Sequence, residues 1–290
     1  MATAEPHSEG IITLRDGRRL AHAEFGDPSG RSVVLLHGNP GSRLICPDEQ
    51  ATADAGIRLI TYDRPGVGRS DPSLFHDLNE VADDFAELSA ALGLGPVPII
   101  GWSDGGPVAL AIAARHRNLV ESVALVSGSG LADDPDVMSQ RTEEVEDLIA
   151  RLRERDSEAL ATVESGFAFY ADDPTAIVQR TTTDEGDPDA AVMARGEVRA
   201  AFNVMLEEGA RQGARGLTDG WAAVWALARG YDPSAIETPV SLWHGTHDVL
   251  VPVQEAERLA AVLPKARLTL FEGEGHFIAV DHWAEILAGL

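Results

Sequence analysis

Residues 97–115 read VPIIGWSDGGPVALAIAAR, an apolar run followed by a G-x-S-x-G segment and then by apolar residues at helical spacing. To raise the Ser103 hydroxyl clear of a buried strand, the chain has to turn within one residue. Gly101 and Gly105 leave room for that turn because they have no Cβ. The helix that follows would direct its partial positive end at the serine and offer the amide of Asp104 to a developing oxyanion. The stretch therefore predicts a strand, a sharp turn with an exposed nucleophilic serine, and a helix; the alternative is an incidental serine in such a turn.

A serine hydroxyl becomes nucleophilic only beside a base, and the base needs an acceptor that fixes its tautomer. Residues 241–252, SLWHGTHDVLVP, contain a strand followed by Asp248, and residues 268–280, LTLFEGEGHFIAV, contain a strand followed by His276. Residues just beyond the carboxyl ends of parallel strands meet at one edge of the sheet. We therefore predict a catalytic triad of Ser103, Asp248 and His276.

Short apolar runs alternate with segments of helical spacing along most of the chain. They predict strands buried on both faces of a parallel sheet that is covered by helices, which is an α/β fold. The dipeptide Asp16-Gly17 adds an antiparallel hairpin at the start. Between about 132 and 230 no strand is evident, and this stretch is predicted to be a helical cap inserted into a core formed by 1–131 and 231–290. The six runs lie at 33–36, 57–62, 97–102, 123–126, 240–243 and 268–271.

Together with the serine turn, four motifs resemble those of the α/β-hydrolase fold family. They are HGNPG at 37–41, YDRPGVGRSD at 62–71, HGTHD at 244–248 and GEGHF at 273–277. The resemblance implies a mostly parallel, eight-stranded α/β-hydrolase sheet flanked by helices, with an inserted helical cap. It also implies an oxyanion hole built from the backbone amides of Asn39 and Asp104. His37 is predicted to brace this loop, and direct contact with the substrate is the alternative. The family's serine chemistry needs no cofactor and no metal.

What the resemblance implies about activity is a serine hydrolase, a carboxylesterase that cleaves small to medium esters through an acyl-enzyme intermediate. Dehalogenases and epoxide hydrolases of the family use an aspartate where this chain has Ser103, so those activities are disfavoured. The string GWSDGG is similar to that of valacyclovir-hydrolase-like enzymes, which leaves open an amino-acid-ester hydrolase or a proline-iminopeptidase-like aminopeptidase. A ligand receptor with little turnover is a further alternative, and haloperoxidase or perhydrolase activity is a candidate side reaction.

Two assignments near these motifs have competitors. Some family members place the triad acid after the sixth strand, which makes Asp133 or Asp134 the alternative to Asp248. Arg64 and Asp63 are predicted to be structural and to hold their turn by an ion pair.

The predicted substrate-binding residues are the tryptophans Trp102, Trp221 and Trp225. For the two in the cap, packing within the cap is the alternative to lining a pocket. No metal site is predicted. His244 and His247 stand three apart, but no helix aligns them and no further carboxylate follows at ligand spacing.

Composition limits the partners. The 290 residues include 47 acidic and 23 basic side chains, for a formal net charge of -24, which disfavours nucleic acid and anionic membrane surfaces. The single cysteine, Cys46, cannot form an internal disulfide, and no apolar run approaches a membrane span. We therefore expect a cytoplasmic protein that acts on a small molecule; a homodimer is left open.

Overall fold

A computed structural model describes residues 4–73, 75–128, 142–176, 186–227 and 231–290 of the chain. Its centre is an eight-stranded sheet in the order β1-β2-β4-β3-β5-β6-β7-β8, in which β1–β2 and β2–β4 are antiparallel and the other neighbours are parallel. The predicted sheet is confirmed. The strands are β1 Ser8–Thr13, β2 Arg19–Gly26, β3 Arg31–Leu36, β4 Ile57–Tyr62, β5 Val97–Trp102, β6 Val120–Val126, β7 Val240–Gly245 and β8 Ala266–Phe271.

Helices cover both faces of this sheet, and a further group lies between β6 and β7 in the chain. Those that flank the sheet are α1 Glu49–Asp54, α2 Leu78–Ala91, α3 Gly105–Arg115, α10 Val253–Val262 and α11 Ala279–Ala288. Those between β6 and β7 are α4 Glu143–Arg153, α5 Ser157–Gly166, α6 Ala168–Asp172, α7 Pro188–Met193, α8 Gly196–Gly209 and α9 Arg215–Trp221, which continues into a π-helical turn at Ala222–Ala226. Short 3-10 turns occur at Arg117–Leu119, Ala210–Gln212 and Pro233–Ala235.

Alternate residues of the central strands enter two different apolar cores, as the period of two in a strand requires. Ile99 packs with α2, α3 and α10 on one face, whereas Ile100 packs with α11 and with cap residues on the other. The strand β8 differs from the prediction of burial on both faces. It is the edge of the sheet, and Leu270 on it is exposed.

The described residues between β6 and β7, called the cap below, form helices joined by turns. They have a small apolar core of their own, which includes Ile149, Leu152 and Leu160. Asp133 and Asp134, the alternative triad acids, lie outside the described residues. No helix in the described part of the chain has the length and apolar character that crossing a membrane requires.

One buried cation joins the cap to the core. Arg43 is 1% exposed, and its guanidinium contacts Asp63 at 2.7 Å, Glu208 on α8 at 2.6 Å and Glu9 on β1. The predicted ion pair between Arg64 and Asp63 is therefore wrong, because Asp63 pairs with Arg43 instead. A buried carboxylate needs a charged partner, and the loop after β3 brings Arg43 to it.

Candidate active site

Ser103 lies in a strained turn between β5 and α3. Its φ angle is 54°, which is the left-handed region that a residue with a side chain rarely adopts. A Cβ on Gly101 would lie 2.6 Å from the carbonyl oxygen of Gly105, and a Cβ on Gly105 would lie 2.4 Å from the carbonyl oxygen of Leu36. The close approach of the backbone therefore requires glycine at both positions. Backbone strain such as that of Ser103 is common at functional sites.

Asp248 and His276 meet after β7 and β8. His276 Nδ1 lies 2.8 Å from Asp248 Oδ2, and the other carboxylate oxygen accepts the amides of Leu250 at 2.9 Å and Val251 at 2.8 Å. His244 Nε2 contacts the same carboxylate at 3.3 Å. Two histidine rings and two backbone amides thus hold the Asp248 carboxylate in place.

The protonation of this pair follows from its contacts. Burial opposes the charge on Asp248, but the facing His276 and the hydrogen bonds from His244, His276 and Val251 hold the pKa of Asp248 well below its usual range. An ionised carboxylate only accepts, so His276 Nδ1 carries the proton and donates it, and Nε2 is left as the acceptor. Burial alone would lower the pKa of His276, yet the Asp248 carboxylate, with those of Asp189 and Asp104, raises it.

The loop after β3 lies directly against the serine. A Cβ on Gly38 would be 3.1 Å from the Cβ of Ser103. The guanidinium of Arg64 holds this loop to the serine turn, because Nη2 donates to the carbonyl of Gly38 at 2.8 Å and Nη1 donates to the carbonyl of Asp104 at 3.2 Å. The loop and the turn are therefore fixed to each other by one buried cation.

His37 also holds this loop. Its Nδ1 lies 2.7 Å from the carbonyl of Gly38, and its Nε2 accepts the backbone amide of Arg64 at 3.4 Å. Burial and the nearby Arg64 lower the pKa of His37 well below its ordinary value, so the ring is neutral and Nδ1–H donates.

Ser103 and His276 open onto one cavity of about 350 Å³. Every predicted site residue except Asp248, which lies behind His276, lines this cavity. Apolar side chains outside the predicted set supply most of the remaining wall. The predicted lining residues are Asn39, Trp102, Ser103, Asp104, Trp221, Trp225 and His276, and the additional apolar ones are Pro40, Ile45, Phe167, Phe202, Met205, Leu206, Leu217, Leu250, Val251 and Phe277.

Aromatic rings form one side of the cavity. Trp102, Phe202 and Phe277 meet edge to face, with ring centroids 5.0 to 6.4 Å apart. On another part of the wall, Trp225 Nε1 donates to Asp104 Oδ2 at 3.3 Å. Trp221 and Trp225 thus both line the cavity. Trp221 also packs against the cap's own apolar core, whereas Trp225 packs against the core of the sheet.

Metal-ligating groups are not gathered in the described ranges. No cluster of three or more His, Cys, Asp or Glu side chains there is arranged to hold a metal ion. His244 is buried and occupied by the carbonyl of Val251 at 2.8 Å.

Comparison with known proteins supports the architecture. A model of the alpha/beta hydrolase fold family matches residues 31–282. The chain belongs to this family. The alpha/beta hydrolase resembles a non-heme chloroperoxidase of Streptomyces lividans, with 30% identity over 282 residues that cover 94% of this chain and 95% of the relative.

Two solved structures are similar to the alpha/beta hydrolase over nearly its whole length. A hydrolase from Pseudomonas aeruginosa has a TM-score of 0.74 at 20% identity and covers 98% of both chains. A thermophilic esterase from Thermogutta terrifontis has a TM-score of 0.68 at 22% identity and covers 97% of this chain and 96% of its own. At these identities the likeness establishes the shared fold.

Proposed function

We propose that the protein is a serine hydrolase that cleaves small to medium carboxylic esters through an acyl-enzyme intermediate. One observation carries the proposal. Ser103, in its strained turn, and His276, held by Asp248, line the same apolar cavity. In a Ser-His-Asp triad, Ser103 would be the nucleophile, His276 the base and Asp248 the acid.

The reaction starts when Ser103 Oγ attacks the ester carbonyl and its proton passes to His276 Nε2. The backbone N–H groups of Asn39 and Asp104 donate hydrogen bonds to the negative charge that develops on the carbonyl oxygen. The C–O bond to the leaving alcohol then breaks, and His276 returns the proton to that alcohol. In the second half, water attacks the acyl-enzyme, gives its proton to His276, and releases the carboxylic acid as Ser103 takes the proton back.

The cavity supports an apolar acyl group as the preferred substrate portion. Its volume of about 350 Å³ lies at the small end of ligand pockets, and aromatic and aliphatic side chains form most of its wall. An acyl chain of a few carbons would bury its whole surface there. Among the structures of similar fold, several carry the name esterase, including one from Exiguobacterium antarcticum.

The first experiment compares hydrolysis of p-nitrophenyl acetate and butyrate by the wild type and by Ser103→Ala. Loss of turnover in the variant, with labelling of Ser103 by a fluorophosphonate in the wild type, supports the mechanism. Ser165→Ala is the matched control, because Ser165 is an exposed serine on α5. Equal rates in wild type and Ser103→Ala, or labelling at another residue, would overturn the proposal. A wild type that binds an ester and returns it unchanged would favour a receptor instead.

An amino-acid ester is the second candidate substrate. Asp104 places a carboxylate on the cavity wall next to Ser103, and an α-ammonium group would find an opposite charge there. The test compares an amino-acid ester with its N-acetyl form. A preference for the free amine that is lost in Asp104→Asn supports this candidate, and a preference for the blocked form contradicts it.

The relatives named non-heme chloroperoxidase support a side reaction. If hydrogen peroxide replaces water as the nucleophile on the acyl-enzyme, the product is a peracid and Ser103 is released as before. Peracid formation from acetate ester and peroxide, absent in Ser103→Ala, is the expected result. Peracid formation that survives in the variant would show that the triad is not involved.

A further inference from the structure

The cap places a buried carboxylate against the backbone of the proposed base. Asp189, the second residue of α7, is 1% exposed. Its Oδ2 accepts the amide of His276 at 2.8 Å, and its Oδ1 accepts the amide of Phe277 at 2.9 Å. Both oxygens of one cap side chain therefore accept hydrogen bonds from two consecutive amides, in the loop that follows β8.

The carboxyl group of Asp189 lies so close to the loop that only glycine fits at position 275. A Cβ on Gly275 would lie 2.5 Å from the carboxyl carbon and from both oxygens of Asp189. The Asp189 carboxyl thus occupies the space that the Cβ of any other residue at position 275 would need. The loop and the carboxylate are closely packed against each other.

The segment that carries Asp189 is fixed at both ends. Asp187 accepts the amide of Asp189 at 2.9 Å and caps α7. At the other end, Met193, the last residue of α7, packs in the same apolar core as Phe277. Beyond the helix, Arg195 pairs with Asp281 of the core helix α11 at 2.7 Å. These contacts hold Asp189 in a fixed position next to the backbone of His276.

A carboxylate is a costly choice for this position. Burial raises the pKa of Asp189, the amides of His276 and Phe277 oppose that rise, and the negative charge of Asp248 adds to it. An amide side chain would fit the same space, but it has one accepting oxygen, and its NH2 group would face the second amide as donor against donor. A carboxylate satisfies both amides and also adds a negative charge.

That charge also acts on the imidazole of His276. Three carboxylates act on His276, from three parts of the fold: Asp248 after β7, Asp104 at the serine turn, and Asp189 from the cap. Of these, only Asp248 contacts a ring nitrogen directly. Asp189 acts on the ring through space and on its backbone through hydrogen bonds.

We propose that Asp189 is a positioning residue for the base: it fixes the backbone at His276, and its charge stabilises the imidazolium that forms when His276 takes the proton of Ser103. The inference rests on the proposed function. It makes the cap a part of the catalytic apparatus in addition to a wall of the pocket.

The test measures kcat, KM and the pH dependence of kcat/KM for the full-length protein and for Asp189→Asn, with p-nitrophenyl butyrate. We expect kcat to fall about tenfold to a hundredfold with a smaller change in KM, because small misplacements of a catalytic group cost about that much. The acid limb of the profile moves to lower pH, since loss of the negative charge lowers the pKa of His276.

Glu197→Gln is the matched control. Glu197 is an exposed acidic residue near the start of α8, so kcat and the acid limb should stay at the wild-type values. Asp189→Glu keeps the charge with a longer side chain, and it should retain the wild-type acid limb while kcat falls. This second variant gives the result even where Asp189→Asn does not fold.

The outcomes separate the two proposals. A Ser103→Ala variant with wild-type turnover overturns the proposed function. An inactive Ser103→Ala beside an Asp189→Asn with wild-type kcat and acid limb overturns the role of Asp189 alone. A loss of thermal stability in Asp189→Asn without a change in kcat or in the acid limb would likewise show that Asp189 is only structural. An acid limb in Asp189→Glu that shifts as far as in Asp189→Asn would remove the electrostatic part of the proposal.

Discussion

The guanidinium of Arg64 donates a hydrogen bond of 2.8 Å to the carbonyl oxygen of Gly38. That oxygen belongs to the same peptide group as the amide of Asn39, one of the two proposed oxyanion donors. His37 Nδ1 donates to the same oxygen at 2.7 Å. Hydrogen bonds in a chain polarise one another, so two donors on the carbonyl make the amide at the other end of the peptide a stronger donor.

We expect Arg64→Lys to lower kcat about tenfold with little change in KM, because a lysine reaches one carbonyl and leaves the other without its donor. The loss should stay below the 10² to 10³ that removal of an oxyanion donor costs, since the Asn39 amide remains. Steady-state kinetics on p-nitrophenyl butyrate measures it. Arg115→Lys, at the exposed end of α3, is the control and should leave kcat unchanged. An unchanged kcat in Arg64→Lys would contradict the polarisation argument.

Gly105→Ala should destabilise the fold by about 2 kcal/mol or more, because its Cβ would press against the backbone of β3 and neither chain can move aside without disturbing the sheet. Urea unfolding gives the change in free energy of unfolding. Gly166→Ala at the end of α5 is the control, since nothing lies within 4 Å of a Cβ there, and it should be neutral or stabilising by up to about 1 kcal/mol. Equal effects of the two substitutions would mean that the serine turn is not close-packed.

The acid limb of kcat/KM should have its midpoint above about pH 6.5, the ordinary pKa of histidine. His276 must be neutral to take the serine proton, and its pKa is raised, so activity is lost at a higher pH than for an unperturbed histidine. Asp248→Asn should lower kcat by about 10⁴, because the asparagine favours the wrong tautomer. A pH series on both proteins checks this, and a wild-type midpoint below 6 would contradict the electrostatics of the pair.

Phe202→Leu should shift the chain-length preference toward longer acyl groups. Phe202 lines the cavity and packs against Phe277, with ring centroids 5.0 Å apart, so a smaller side chain extends the space for the acyl chain. The measurement is the ratio of kcat/KM for p-nitrophenyl octanoate and butyrate. Phe85→Leu is the control, because Phe85 is in the core on the other face of the sheet and should lower stability without changing the ratio. A ratio that shifts equally in both variants would show that Phe202 does not set acyl length.

The sheet and the serine turn could be predicted because local rules determine them. The run at 57–62 became β4 with the same bounds, and Gly101 and Gly105 are where backbone contact leaves no room for a side chain. Asp248 and His276 could be placed because the carboxyl ends of parallel strands share an edge.

The contributions of the cap and of the buried ions could not be predicted. Nothing in the sequence around Asp189 distinguishes it from the other acidic residues of the cap, since its role depends on how α7 docks on the loop of His276. The sequence pairs Arg64 with Asp63 because the two are neighbours in the chain, whereas Arg43, 20 residues away, reaches Asp63 in the fold. The position of Phe202 on the cavity wall could not be predicted either, because it depends on tertiary packing that helical spacing alone does not specify.

Three of the five tryptophans, Trp102, Trp221 and Trp225, surround the cavity, and the other two, Trp243 and Trp283, are buried elsewhere. Indole emission depends on local polarity, so a ligand that expels water from this space should change the emission of these three tryptophans. The molecule carries its own optical reporter, and affinities for non-hydrolysable compounds can be titrated without a dye or a chromogenic leaving group.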